Sequence, residues 1–262
     1  MNRFVIGALL CAAVQAHAQT SSDEISKYRA MLADGNPAEL WEAKGELLWK
    51  QARGPKKATL EKCDLGKGPG VVKGSFVELP RFFADTGRVQ DLESRLVTCM
   101  QDLQGFNAAE IVKTPFGKGE QVTLESLVAY VSSESGGMRF SLPQAHAQER
   151  DMYEAGKRIF YFRAGPYDFS CASCHGQEGK RIRLQDLPDL TTTKGAGAAF
   201  GAWPAYRVSN GQLWSMQHRL NDCFRQQRFP SPGFISDATI ALGVYLGVTA
   251  KGAESIAPSI KR

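Results

Sequence analysis

Residues 165–183 read GPYDFSCASCHGQEGKRIR, and within them Cys171-Ala172-Ser173-Cys174-His175 decides the fold. Two cysteines three apart lie on one helical turn and can reach two vinyl groups of a single porphyrin. The histidine that follows then places its imidazole on the iron, so C-x-x-C-H reads as c-type haem attachment. A thioredoxin-like redox pair would need a strand before it, whereas residues 148–163 (QERDMYEAGKRIFYFR) are patterned as a helix. A zinc site would need a second Cys/His pair. One motif implies one covalently bound haem c, held through Cys171 and Cys174 with His175 on the iron.

The rest of the chain agrees with a small helical haem domain preceded by a second helical region. In residues 236–252 (SDATIALGVYLGVTAKG), Ser236 caps a helix with apolar Ile240, Leu242, Val244, Tyr245 and Leu246. Upstream, residues 23–34 and 37–52 carry helical spacing. Leu40, Trp41, Leu47, Leu48 and Trp49 are expected on the apolar face of the latter, the tryptophans as core. Residues 88–104 and 123–134 read as two further helices, and 54–76, rich in Gly and Lys, as loop. Residues 135–149 break the pattern and are expected to link the halves. No repeat shows at short period. The expected fold class is all-α.

At the start, Arg3, an apolar stretch over residues 4–14 and Ala16-His17-Ala18 form a secretory signal expected to be cut after residue 18. The expected location is therefore the periplasm, where disulfides are allowed. No apolar run of about 20 residues follows, so no membrane span is expected. A formal charge of +5, with 43% hydrophobic and 23% charged residues, excludes wholesale disorder. It is too weak and scattered to argue for nucleic acid, but it suits an anionic substrate.

Cys11 leaves with the signal, and five cysteines remain. Cys63 and Cys99 can pair, closing a loop worth roughly 4 kcal/mol in the chain-entropy model; the alternative is two buried free thiols. Cys223 is then unpaired. Spacing leaves the second axial ligand open between Met216, Cys223 and His218, with Met152 and His146 behind them. Met would make an electron carrier. Cys223 carries extra weight, because Arg219 lies four residues earlier on the same helix face, with Arg225 and Arg228 nearby. A cationic neighbour is expected to lower the thiol pKa.

Together these residues resemble the SoxA family, the SoxA subunit of the SoxAX cytochrome (L-cysteine S-thiosulfotransferase). The resemblance runs through residues 38–49, Leu79-Pro80-Arg81-Phe82-Phe83, the helix holding Cys99, residues 127–130, the C-x-x-C-H motif, Arg219-x-x-x-Cys223 and Tyr245-Leu246. It implies two cytochrome c-like domains, here residues 19–140 and 141–262. No C-x-x-C-H precedes residue 171, so the chain is similar to single-haem members, in which a disulfide stands in the first domain. That matches a Cys63–Cys99 pair. The resemblance further implies that Cys223 is the distal haem ligand, commonly carrying an extra persulfide sulfur, and that Arg219 belongs to the active site.

The implied reaction joins thiosulfate to a cysteine of the carrier SoxYZ, with two electrons leaving through haem to the partner subunit SoxX. Arg219 is the first choice to hold thiosulfate, because a guanidinium binds oxyanions with two prongs. Arg225, Lys180, Arg181 and Arg183 are weaker choices. The alternative function is a plain periplasmic electron carrier with His175 and Met216 on the iron.

Overall fold

The computed structural model describes residues 35–182 and 185–261. The expected signal with Cys11, the helix over 23–34 and Arg183 lie outside the described residues. From Ala38 onward the chain forms one compact unit. Its helices are α1 (Ala38–Lys50), α2 (Leu92–Cys99), α3 (Ala108–Lys113), α4 (Gly119–Ser133), α5 (Ala147–Tyr161), α6 (Cys171–His175), α7 (Thr193–Phe200), α8 (Met216–Gln226) and α9 (Asp237–Thr249). Short strands separate them: β1 (Arg81–Phe83) with β2 (Arg88–Gln90), β3 (Arg181–Ile182) with β4 (Gln185–Asp186), and β5 (Ala205–Arg207) between β6 (Gln212–Trp214) and β7 (Ser259–Lys261). The all-α expectation thus describes the scaffold but misses these small sheets.

Two large helix–helix interfaces organise the unit, α1 on α4 and α5 on α9. Each crossing is close because one helix offers glycine. A Cβ on Gly45 would collide with the Ser126 carbonyl, and one on Gly156 with the Ala241 carbonyl. Tyr130 lies 6.2 Å from Trp49 across the first crossing, and Tyr245 lies 5.1 Å from Phe160 across the second. Helix α9 is apolar on every side and buried from Thr239 to Gly247, as befits a central helix.

A hairpin followed by a helix occurs twice, at positions that match residue for residue. In the first, Arg81 pairs with Gln90 and Asp91 caps α2; in the second, Ala205 pairs with Trp214 and Ser215 caps α8. Both hairpins turn on a glycine with φ +64°, Gly87 and Gly211. The same offset superposes Arg95 on Arg219 and Cys99 on Cys223. This long-range correspondence was not legible as a short repeat.

Residues 88–90 are a strand rather than the first turn of a helix, because the Asp91 carboxylate accepts the Ser94 N–H at 2.9 Å and fixes the helix start there. Leu40 and Leu47 are 75% and 72% exposed, so they do not share the buried face of Trp49. The expected link over 135–149 is itself packed. Phe140 is fully buried against Phe76 and Phe200, and its backbone N–H donates to Ala253. Cys63 and Cys99 are joined by a disulfide with Cα atoms 5.6 Å apart, amid buried Leu60, Leu65, Leu96 and Met100.

Candidate haem and thiol site

Helix α6 is a single capped turn. Ser170 accepts the Ser173 N–H, and the Ser173 hydroxyl accepts the Ser170 N–H in return. This fixes Cys171, Cys174 and His175 on one short element. The His175 Nδ1 lies 2.9 Å from the Pro188 carbonyl oxygen. With Nδ1–H donating there, Nε2 keeps its lone pair for a metal, the usual way a second contact sets an imidazole ligand. Burial pushes the His175 pKa down, which favours the neutral, ligating form.

Cys171, Cys174 and Cys223 are the free cysteines among the described residues. Burial pushes the Cys171 thiol up to about 12, and the charge of Cys223 adds to that rise. The Cys223 thiol is also raised, by burial first. Arg219 opposes the rise, while Asp222 and Cys174 reinforce it. Cys223 and the thiols of the C-x-x-C-H turn are thus close enough to raise one another. The expected lowering by Arg219 is present but smaller than the desolvation, so the net direction is upward. Two thiols on one capped turn and an imidazole with a free Nε2 fit a covalently held haem, with Cys171, Cys174 and His175 as the residues that would hold it.

Each of the other candidates for the second axial position has protein neighbours of its own. Met216 packs with Trp203, Ala205 and Trp214, and also against the main core that takes in Cys171 and Ala172. Met152 packs with Val89, Ile240 and Val244. His146 caps α5 and stacks on Phe82 at 3.7 Å. His218 is held between Phe116 at 4.2 Å and Trp214 at 4.0 Å.

Helix α8 is anchored where it begins. Ser215 accepts the His218 N–H, while the buried Gln217 side chain donates to Asp91 at 2.5 Å and accepts from the Ile235 N–H at 3.1 Å. Glu93 accepts the Gln217 backbone N–H. Burial and the neighbouring Asp91 charge hold the Glu93 carboxyl well above its usual range. These contacts set the rotation of α8, and hence where Arg219 and Cys223 point. Farther along, Asp222 accepts from Arg225 at 2.6 Å and Gln226 at 2.5 Å, and from Arg219 only at 3.3 Å. Of the weaker anion-binding choices, Arg225 is 75% exposed and committed to Asp222, and Arg181 pairs with Asp186.

The matching position in the first half behaves differently. Arg95 donates to the Asp64 carbonyl at 2.6 Å and to Asp85 at 2.7 Å, and lies 4.1 Å over the Phe83 ring. Arg95 is locked and Cys99 is bridged, whereas Arg219 is loosely paired and Cys223 is free.

A pair that sequence reasoning missed lies beside α8. Glu125, 2% exposed, accepts the Gly117 N–H at 3.1 Å and stands 3.9 Å from His218 Nδ1. Burial raises Glu125 to about 7 and lowers His218 to about 4. The folded chain thus holds the Glu125 proton more tightly than the unfolded chain does. That contribution is complete below the ordinary value of 4.5 and is lost as pH rises through about 7. His218 runs the other way, its contribution being present above 6.5 and lost as pH falls towards 4. Above pH 6.5, Glu125 is the member of the pair that changes state. Thermal melts of Glu125→Gln are therefore expected to gain a few degrees on the wild type between pH 6.5 and 8. A constant difference over that range would contradict the assignment.

The SoxA/TsdA cytochrome c domain model matches residues 44–140, the half without the C-x-x-C-H motif. The L-cysteine S-thiosulfotransferase subunit SoxA of Hydrogenophilus thermoluteolus is 54% identical over 91% of this chain and 87% of that protein. The protein of the same name from Hydrogenobacter thermophilus is 31% identical, covering 90% of each. The crystal structure of SoxXA from P. pantotrophus matches with a TM-score of 0.75 and 23% identity, over 90% of this chain and 84% of that one. That likeness shows a shared, cytochrome c-like fold. On the identity and coverage of its relatives, the chain belongs to the SoxA family.

Proposed function

We propose that this chain is the L-cysteine S-thiosulfotransferase subunit that joins thiosulfate oxidatively to a cysteine of a SoxYZ carrier. Cys223 is its covalent residue, and SoxX is its partner subunit. The observation that carries this reading is the contrast between two matching positions. Cys99 is consumed in a disulfide, while Cys223 stays free, is raised by the charge of Cys174, and has Arg219 one helical turn away. The names of the relatives agree with it.

Cys171 and Cys174 would hold one haem c, with His175 and Cys223 as the residues offered to its iron, and when bound it would supply a one-electron path to SoxX. Cys223 bears a persulfide. Its outer sulfur bonds to the terminal sulfur of thiosulfate, and two electrons are given up as that S–S bond forms. The carrier cysteine, as thiolate, then attacks the sulfur that came from thiosulfate. The persulfide leaves, the carrier keeps a thiosulfonate, and the proton of the carrier thiol passes to solvent. Arg219 holds the oxyanion end and offsets its charge.

The two hairpin–helix modules are two cytochrome c-like domains, the first stapled by Cys63–Cys99 in place of haem. The expected signal directs the chain to the periplasm. Among the described residues no helix is long and apolar enough to cross a membrane. The test is to incubate the haem-loaded chain with SoxX, SoxYZ, thiosulfate and an oxidised electron acceptor, and to weigh the carrier peptide. A thiosulfonate adduct on the carrier cysteine is expected. An unmodified carrier, with haem intact, would contradict the reading.

A further inference from the structure

We propose that Arg207 is a second anion-binding residue of this site, forming with Arg219 a two-guanidinium seat for the sulfonate end of thiosulfate. The inference rests on the reading above and names a residue that neither its motif nor its spacing marks. Arg207 ends β5, and its guanidinium lies 5.3 Å from the centre of the Trp214 ring. Trp214 stacks on His218, and Arg219 follows His218 on α8.

The charges around Arg207 are unbalanced. Its Nε is buried without a hydrogen-bond partner, and so is the indole Nε1 of Trp214. Among the described residues no carboxylate forms an ion pair with Arg207. Burial pushes its pKa down, the Arg219 charge pushes it further, and Asp222 is the acid that opposes this. Asp222 is already engaged more closely by Arg225 and Gln226 than by Arg219. Arg207 therefore has no ion pair of its own among the described residues, and Arg219 shares Asp222 with Arg225 and Gln226. Buried N–H donors without acceptors are costly, most of all on a cation. A small multivalent oxyanion supplies both the acceptors and the missing charge, and guanidinium groups suit its geometry.

The test is calorimetric titration of thiosulfate, with sulfate as an unreactive comparison, into the ferric haem-loaded chain without carrier. Wild type, Arg207→Gln, Arg207→Lys and Arg219→Gln are compared. Arg207→Gln is expected to weaken thiosulfate binding about 10- to 100-fold, the worth of a charge-assisted hydrogen bond. Arg207→Lys should fall between it and wild type, with the haem spectrum unchanged in both. If Arg219→Gln weakens binding and neither Arg207 variant does, this proposal fails alone. Unchanged affinity with a shifted haem potential would assign Arg207 to the haem and overturn it equally. If the wild type does not bind thiosulfate, the proposal falls together with the functional reading.

Discussion

Replacing Cys223 by Ala is expected to lower kcat for carrier conjugation by on the order of 10³-fold or more, since it deletes the group that bonds to substrate. Thiosulfate affinity should change far less, because Arg219 and Arg207 remain. The haem should stay attached through Cys171 and Cys174, while its spectrum reports the loss of a sulfur donor. Steady-state kinetics with a Soret spectrum separate these effects. A variant that turns over at the wild-type rate would leave only an electron shuttle.

The second large effect concerns stability. The Cys63–Cys99 disulfide spans a sequence separation of 36. A loop of that length restricts the unfolded chain by roughly 4 kcal/mol in the chain-entropy model. For a domain of this size that corresponds to a fall in Tm of roughly 8–16 °C. The double variant Cys63→Ala/Cys99→Ala is expected to show it in thermal unfolding of the haem-loaded protein, with the haem still covalently bound. A fall of less than about 2 °C would mean that packing of Leu60, Leu65, Leu96 and Met100 holds that half without the staple.

Much of this architecture was legible in the sequence because it is written in local chemistry. C-x-x-C-H is a covalent pattern, Ser236 and the apolar run after it mark α9, and an odd cysteine count isolates Cys223. Features that depend on distant partners were not legible. Arg207 lies in an ordinary three-residue strand, and only folding brings it over Trp214 and within reach of the Arg219 charge. Glu125 and His218 lie far apart in the chain, each on an otherwise unremarkable helix. The strand at 88–90 was hidden because its alternation is short and runs into helical spacing; the Asp91 cap decides the boundary. Leu40 and Leu47 matched an apolar face by spacing, yet α1 turns Gly45 and Trp49 to α4 instead. The thiol of Cys223 was misjudged because a charge on the same helix is visible in sequence and desolvation is not.

Every functional step depends on the sulfur of Cys223 lying across from His175. The most direct measurement is the intact mass of the purified haem-loaded chain, followed by mass mapping of the peptide that contains Cys223. The expected result is one haem, plus one additional sulfur atom confined to that peptide and lost on mild reduction. An unmodified Cys223 that alkylates readily in the folded ferric protein would contradict the account.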